Sequence, residues 1–308
     1  MLSQQTVSDA IARITTEVSR YQWNNGVFEK FTDSPYDRDV RGYFEGQGGY
    51  YLKFLPLLIA ELKLANILEL GNYAGASTVA MYAGMPAHSS MTTVDVVQDQ
   101  RYFTNAMRAD PRVHSVIGDV LDLSIYGAEP PMDIDFLFED THHFYRHMRD
   151  IFDIYEPLLR DRALIAIDDI NDNDKRKFFD EVPYPKWDLT ELCHHGGWGL
   201  ILYERKEALD PQSRLSRAYR TAMQVWRRRH DAREAELEER RPRTLRRAVQ
   251  DLIHRHRQIH APILWLKRSL GMIPKTVKDF DEQRFYSAGR IEEERRVRHH
   301  IKEMNKGE

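Results

Sequence analysis

Between residues 66 and 203 the chain alternates short apolar runs with longer stretches in which apolar positions recur at helical spacing. The apolar runs predict six strands: Asn66–Leu70, Ser90–Val96, Val113–Ile117, Ile134–Glu139, Ala163–Ile167 and Gly199–Tyr203. The stretches between them predict helices at Ala74–Gly84, Gln98–Asp110 and Phe144–Leu158. Strands that alternate with helices indicate an α/β fold with a Rossmann-like, mainly parallel sheet and helices on both faces.

Helical patterns also flank this region on both sides. Tyr50–Leu64 predicts a helix that leads into the first strand, and glycine becomes scarce and arginine abundant after Tyr203. We therefore predict an α/β domain with N-terminal helices over residues 1–206 and a basic, mainly helical C-terminal extension over residues 207–308. The first N-terminal helix is marked by four apolar positions: Val7, Ile11, Ile14 and Val18.

The charge of the chain is unevenly distributed. The formal net charge is −3, yet residues 214–275 contain 17 Lys+Arg against 6 Asp+Glu, a net +11 that leaves −14 elsewhere. The basic segment admits three interpretations: a helical appendage that packs on the sheet or forms a homo-oligomer, a peripheral contact with an anionic membrane, or nucleic-acid binding. Glutamates interleave with its arginines as in a solvated helix, and no nucleic-acid-binding motif is apparent, so nucleic acid is disfavoured.

Cysteine content and the N-terminus predict a cytoplasmic protein, peripheral to the membrane if the basic segment binds lipid. Cys193 is the single cysteine, which excludes a disulfide framework and fits a reducing compartment. The N-terminal residues lack a basic start followed by an apolar core, and no stretch approaches the roughly 20 apolar residues of a membrane span. A composition that is 42% hydrophobic can nevertheless bury a sizeable core.

Two glycines, Gly71 and Gly75, lie in the predicted loop between the first strand and the next helix. A dinucleotide-binding loop needs the pattern G-x-G-x-x-G, and Tyr73 occupies the position of its second glycine, so dinucleotides are disfavoured. S-adenosylmethionine has no phosphate and needs only close backbone approach and acceptors for its amine, ribose and adenine. Asp95, about 20 residues further on, can accept both ribose hydroxyls, and Asp119 can lie beside the adenine.

The order of these segments resembles that of the class I S-adenosylmethionine-dependent methyltransferases, over roughly residues 45 to 205. The similarity is greatest to the branch of small-molecule and sugar O-methyltransferases and cephalosporin-hydroxylase-like proteins. It implies a seven-stranded sheet whose last strand is antiparallel. The matching segments are Glu69-Leu-Gly-Asn-Tyr-Ala-Gly75, Thr93-Val-Asp95, Gly118-Asp119, Asp135 to Tyr145, Ile165-Ala-Ile-Asp-Asp169 and Gly196-Gly-Trp-Gly199. The candidate cofactor-binding residues are Glu69, Gly71, Tyr73, Gly75, Ser77, Asp95, Asp119 and Val120.

Two departures from this branch stand in the sequence. The helix before the fifth strand often ends in Pro-Gly-Gly, whereas Leu159-Arg-Asp-Arg-Ala163 contains no glycine, so that turn must be built differently. The motif after the fourth strand often reads Asp-Gly-Asp-His, whereas this chain has Asp140-Thr-His-His143 and lacks one carboxylate.

Aspartates follow the fourth and fifth predicted strands, where ligands of open α/β sheets bind. Asp140, Asp168 and Asp169 form a set of hard oxygen ligands that suits Mg²⁺, and a divalent cation there would lower the pKa of a substrate hydroxyl. His143 is the candidate general base, acting with Asp140 in catalysis, and His142 is its alternative. His147, His194 and His195 are interpreted as surface or supporting residues.

Together these features predict an S-adenosylmethionine-dependent O-methyltransferase, cation-assisted, that acts on a hydroxyl of a small molecule, sugar or glycan. Two alternatives stay open at this point. The first is a methyltransferase that needs no metal and relies on proximity and His143. The second is a non-catalytic subunit that binds the cofactor and holds a partner through its basic helices.

Overall fold

The computed structural model describes residues 2–23, 44, 50–97, 102–127 and 129–240, and the side chains of these residues up to 236. The chain divides into two units, Met1–Val225 and Trp226–Glu308. The last strand ends at Glu204 and the next helix begins at Pro211, so the predicted boundary at residues 206/207 falls in the connection between them. That boundary stays a prediction.

A seven-stranded sheet forms the centre of the first unit, in the spatial order β3-β2-β1-β4-β5-β7-β6. Strand β7 runs antiparallel to both of its neighbours, and the other pairs are parallel. This confirms the predicted mainly parallel sheet with an antiparallel last strand. The strands are β1 Asn66–Leu70, β2 Ser90–Asp95, β3 Val113–Ile117, β4 Ile134–Glu139, β5 Leu159–Asp168, β6 Lys186–Asp188 and β7 Trp198–Glu204.

Helices cover both faces of the sheet, as predicted. Alternate strand residues point to opposite faces, so Leu164 and Ala166 join one buried core whereas Ile165 and Ile167 join another. Helices α1, α2 and α3 pack in the first core, and α5, α6 and the start of α7 in the second. The described α-helices are α1 Gln4–Glu17, α2 Tyr51–Leu62, α3 Ala76–Gly84, α4 Asn105–Ala109, α5 Tyr145–Tyr155, α6 Lys175–Glu181 and α7 Pro211–Arg240.

The predicted helix Gln98–Asp110 is too long. Of its described residues only Asn105–Ala109 are helical, because the Thr104 hydroxyl accepts a hydrogen bond from the Met107 N–H and starts the helix there. Residues 98–101 lie outside the described part of the chain.

The turn before β5, which lacks the glycines expected from the family, is built by arginines. Helix α5 is followed by a 3-10 turn at Glu156–Leu158 that runs directly into β5. Arg214, at the start of α7, is buried and donates hydrogen bonds to the carbonyl oxygens of Pro157 (2.8 Å) and Leu159 (2.6 Å), and Arg205 contacts the same two carbonyls. The two guanidinium groups thus supply hydrogen-bond donors for the backbone carbonyl groups of this turn.

Helix α7 begins the basic C-terminal extension, and Ala218, Ala222 and Val225 on it are buried in the second core. Residues 241–308 lie outside the described part of the chain. Across the described ranges no helix is both long and apolar enough to span a bilayer. The predicted membrane contact and homo-oligomer of this segment stay predictions.

Candidate functional site

The glycine loop joins β1 to α3 and passes directly beside the end of β4. Gly71 and Gly75 have φ values of +84° and +92°, which only glycine adopts without strain. A Cβ atom on Gly71 would lie 2.0 Å from the carbonyl oxygen of Asp140. Glycine is therefore required at position 71 by backbone conformation and by space, and the loop and the start of the acidic motif are in contact.

Asp95, at the end of β2, holds the glycine loop in place. Its Oδ2 accepts hydrogen bonds from the N–H groups of Asn72 (3.0 Å) and Tyr73 (2.7 Å), and its Oδ1 accepts one from Val97 (2.9 Å). This loop contact explains how Tyr73, with φ +43°, keeps a conformation that side chains rarely adopt. The predicted contact of Asp95 with ribose hydroxyls stays a prediction.

Glu69 lies beneath the same loop and is fully buried. The hydroxyls of Ser77, Thr78 and Thr93 donate hydrogen bonds to its carboxylate, and Asn72 Nδ2 in turn donates to Thr93 Oγ1 (2.7 Å). Burial raises the pKa of Glu69 to about 7 despite these hydroxyls, with a smaller contribution from the charge of Asp95. Two predicted cofactor residues, Glu69 and Ser77, thus contact each other and connect β1 to α3.

The third strand end lies against the second. The Gly118 N–H donates to the carbonyl of Asp95 (2.9 Å), and Asp119 Oδ1 accepts from the Leu121 N–H (3.0 Å). Val120 is buried, and its carbonyl accepts a hydrogen bond from the Tyr155 hydroxyl (2.8 Å). The predicted cofactor residues of the first three strands therefore lie along one edge of the sheet, the carboxyl edge of its parallel strands.

A cluster of carboxylates and imidazoles lies on the same edge, at the ends of β4 and β5. Asp169 is its centre: the distance from His143 Nδ1 to Asp169 Oδ2 is 3.3 Å, and from His194 Nδ1 to Asp169 Oδ1 it is 3.8 Å. Two overlapping groups have ligand atoms within 4.8 Å of one another, Asp140 with His143 and Asp169, and Asp168 with Asp169 and His194. The three predicted metal ligands are thus adjacent but divided between two groups, each completed by a histidine.

Electrostatic repulsion is strong in this cluster. Burial, followed by the charge of Asp168, raises the pKa of Asp140 well above its usual range and also raises the pKa of Asp169. Burial opposes protonation of His194, but its 2.6 Å hydrogen bond to Asp168 Oδ1 and the charges of the neighbouring carboxylates together outweigh burial and raise the pKa of the imidazole. Such crowding of acidic groups favours the binding of a cation.

Lys175 supplies a positive charge below the cluster. Its side chain is fully buried on α6, and its Nζ lies 2.7 Å from Glu139 Oε2 and 2.7 Å from the carbonyl oxygen of Asp168. The ammonium thus joins the last residue of β4 to the last residue of β5. It also lowers the pKa of Asp140, against the stronger raising effects of burial and Asp168.

His194 and Lys175 are the residues that the sequence analysis missed. His194 was interpreted as a surface or supporting residue, but it lies four residues before Trp198, the first residue of the antiparallel strand β7, which pairs with Asp168 at the carboxyl edge of the parallel strands. That topological rule was sufficient to place His194 at the site. The sequence gives no comparable indication for Glu139 and Lys175, because a buried lysine on a short helix cannot be distinguished from a solvent-exposed lysine by its sequence pattern.

Comparison with known proteins agrees with this geometry. Residues 68–170 match the sequence model of a family described as "Methyltransferase domain", a stretch that runs from β1 to just beyond β5. Among curated proteins, none matches the chain. The match over residues 68–170 confirms the predicted methyltransferase domain in this part of the chain. Membership of the cephalosporin-hydroxylase-like branch stays a prediction.

Several solved structures are similar to part of the chain. An O-methyltransferase from Bacillus cereus in complex with SAH is 17% identical, with a TM-score of 0.44, over 62% of this chain and 97% of that one. The SAH-bound methyltransferase PaMTH1 from Podospora anserina is 17% identical, with a TM-score of 0.46, over 64% and 96%. The O-methyltransferase TomG from Streptomyces achromogenes, in complex with SAM, is 17% identical, with a TM-score of 0.45, over 67% and 100%.

Proposed function

We propose that the protein transfers the methyl group of S-adenosylmethionine to a hydroxyl group of a small molecule, sugar or glycan, with the assistance of a divalent cation. The observation that carries this proposal is the contact between the glycine loop and the acidic motif at Gly71 and Asp140. It supports a methyl donor and an acceptor held side by side at one sheet edge. The proposal agrees with the strand order, which reverses its direction between β1 and β4, the position at which ligands bind in open α/β sheets.

The donor set fits a divalent cation. Asp140 and Asp169 offer carboxylate oxygens within 4.8 Å of each other, and so do Asp168 and Asp169. When bound, such a cation would hold acceptor oxygens and lower the pKa of the hydroxyl. Asp140, Asp168 and Asp169 are the residues proposed to hold it, as expected from the family.

His143 is the proposed general base. Its Nδ1 lies 3.3 Å from Asp169 Oδ2 and 3.4 Å from Asp172 Oδ2, so these carboxylates favour the tautomer protonated on Nδ1. Nε2 then carries the lone pair that accepts the proton of the acceptor hydroxyl. The hydroxyl oxygen forms the bond to the methyl carbon, the carbon–sulfur bond breaks, and its electron pair stays on sulfur.

The test is methyl transfer from tritiated S-adenosylmethionine to a panel of phenols, sugars and glycans, with and without EDTA. For an acceptor that turns over, His143→Asn should reduce kcat at least about a hundredfold, as expected for loss of a general base. His195→Asn, which changes an exposed neighbour of the site, should leave kcat unchanged. Equal activity of His143→Asn and wild type would overturn the role of His143.

The same experiment separates the alternatives. Turnover that EDTA and Asp168→Asn leave unchanged would identify a methyltransferase that needs no metal. Binding of the methyl donor without turnover on any acceptor would favour a non-catalytic subunit, and would contradict the proposed reaction.

A further inference from the structure

His194 is held by its neighbours in a defined orientation at the acidic cluster. Its Nε2 lies 2.6 Å from Asp168 Oδ1, and its ring packs edge-on against Tyr51 with 5.1 Å between ring centroids. Asp168 is buried and His194 is partly buried, so the hydrogen bond is shielded from water. An ionised carboxylate only accepts, so Nε2 is the nitrogen that carries the proton in this contact.

In the neutral imidazole the second nitrogen, Nδ1, therefore carries the lone pair, and it faces Asp169. Nδ1 lies 3.8 Å from Asp169 Oδ1, which is too long for a hydrogen bond. Two ligands that each lie about 2.1 Å from one metal ion are separated by roughly 3 to 4 Å, and this distance falls in that range. A carboxylate that fixes one imidazole nitrogen while the other faces a ligand position is the usual support of a metal-binding histidine.

The backbone of Gly196 packs closely against these two donor atoms. A Cβ atom at this position would lie 2.0 Å from Asp169 Oδ1 and 3.1 Å from His194 Nδ1. Its φ is not in the left-handed region, so space rather than backbone conformation requires glycine here. Only glycine therefore allows the backbone to pass beside both donor atoms without displacing them.

We propose that His194 Nδ1 and Asp169 Oδ1 bind a divalent transition-metal ion such as Mn²⁺, with Asp168 as the positioning residue of His194. This inference rests on the proposed cation-assisted function and names the class of cation. A nitrogen ligand favours transition metals, whereas Mg²⁺ prefers oxygen ligands alone. It also revises the role of Asp168, from a direct ligand to the residue that orients one.

The test is calorimetry of the full-length, metal-stripped protein with MnCl₂ and, separately, with MgCl₂. Wild type should bind Mn²⁺ at least tenfold more tightly than Mg²⁺. His194→Ala should weaken Mn²⁺ binding at least tenfold and change Mg²⁺ binding less than threefold. Asp168→Asn should weaken Mn²⁺ binding about tenfold, as expected for loss of an orienting carboxylate, and His195→Ala, next in sequence and exposed, is the matched control.

A spectroscopic measurement keeps the test independent of whether His194→Ala folds. Mn²⁺ bound to the His143→Ala variant should show electron spin-echo modulation from a nitrogen nucleus, because His194 remains. Absence of that modulation, or unchanged Mn²⁺ affinity in folded His194→Ala, would overturn the inference and leave cation-assisted methyl transfer intact. If no divalent cation binds the wild type, the inference and the cation assistance are both wrong, whereas binding of S-adenosylhomocysteine would still support the methyltransferase.

Discussion

The carboxyl edge of the sheet has two halves: the ends of β1 and β2 with the glycine loop, and the ends of β4 and β5. The acidic side chains of the two halves have different surroundings. Beneath the glycine loop, Glu69 accepts three hydroxyl hydrogen bonds and Asp95 accepts three backbone N–H groups. At the ends of β4 and β5, Asp140 and Asp169 instead face other carboxylates, and burial together with the charge of Asp168 raises their pKa values. Both halves contain buried acidic groups, but the loop carboxylate Asp95 is held by backbone N–H groups, whereas Asp140 and Asp169 are held close to other carboxylates.

This difference indicates that the two halves have different functions. A carboxylate whose acceptors are satisfied within the protein fixes the backbone around it, so the first half is a rigid receptor for a ligand. Carboxylates that repel one another gain free energy when a cation binds. The second half therefore has the properties of a cation site, and five substitutions can break or sharpen the comparison.

Gly71→Ala should have the largest effect, because its Cβ would lie 2.0 Å from the backbone oxygen of Asp140, which cannot move aside. We expect a loss of more than about 4 kcal/mol in the free energy of unfolding, or no folded protein. Gly127→Ala is the matched control, since Gly127 also has a positive φ but no atom within 4 Å of the added Cβ. It should cost about 1–3 kcal/mol from backbone strain alone. Urea unfolding of both variants measures the difference, and equal losses would contradict the packing of the two loops.

Lys175→Met should have the second-largest effect on the free energy of unfolding, because it leaves the fully buried Glu139 without its ion-pair partner. Removing one member of a buried pair costs about 3–5 kcal/mol. Lys177→Met, two residues along α6 and exposed, should cost less than about 1 kcal/mol through its contact with the Tyr145 ring. Thermal and urea unfolding provide the comparison. A Lys175→Met variant as stable as Lys177→Met would show that the ion pair does not hold β4 and β5 together.

Glu69→Gln should change how stability depends on pH. The pKa of Glu69 is about 7 in the folded protein and near 4.5 in the unfolded chain. Below pH 4.5 the carboxyl group is therefore protonated in both states, and folding buries a neutral group. As the pH rises from 4.5 to 7 the unfolded chain loses the proton first, and the free energy of unfolding falls by about 3 kcal/mol.

The glutamine variant cannot ionise, so it should lack this part of the decrease. The measurement is urea unfolding of wild type and variant between pH 5 and pH 8, with Glu191→Gln as an exposed control. Parallel pH profiles of wild type and Glu69→Gln would disprove the coupling of Glu69 ionisation to folding.

Asp95→Asn and Asp140→Asn should shift stability in opposite directions. The first replaces one acceptor oxygen with an NH₂ donor, so that either the loop N–H groups or the Val97 N–H lose their acceptor, and it should cost about 1–2 kcal/mol. The second removes a repelled charge and should stabilise the metal-free protein at pH 8 by about 1 kcal/mol. Differential scanning calorimetry in EDTA tests both signs. Destabilisation by both variants would mean that the two halves of the edge do not differ.

The sequence was informative where the signal is local. Apolar runs located six of the seven strands, and the glycine loop was identified because strand, glycines and helix follow one another directly. The short strand Lys186–Asp188 was missed because it has polar ends and pairs only with β7. The fifth strand begins at Leu159, four residues earlier than predicted, since the charged residues at its start lie in the paired strand.

The acidic cluster was predictable only in part, for a physical reason. Asp140 and Asp169 were placed by the rule that parallel strands end at one edge. The pairing of His194 with Asp168 joins residues from different connections, and the ion pair of Lys175 with Glu139 depends on how α6 packs on the sheet. No local sequence pattern encodes such contacts, because they form only when the strands and helices have packed together.

The central claim is that the β1–β2 half of the edge is a receptor for S-adenosylmethionine that needs no cation to form. The most direct measurement is calorimetric titration of S-adenosylhomocysteine into the metal-free wild-type protein, followed by the same titration with Mn²⁺ present. The account predicts saturable binding of one ligand per chain in both. A folded protein that gives no binding heat at millimolar ligand in either titration would contradict it.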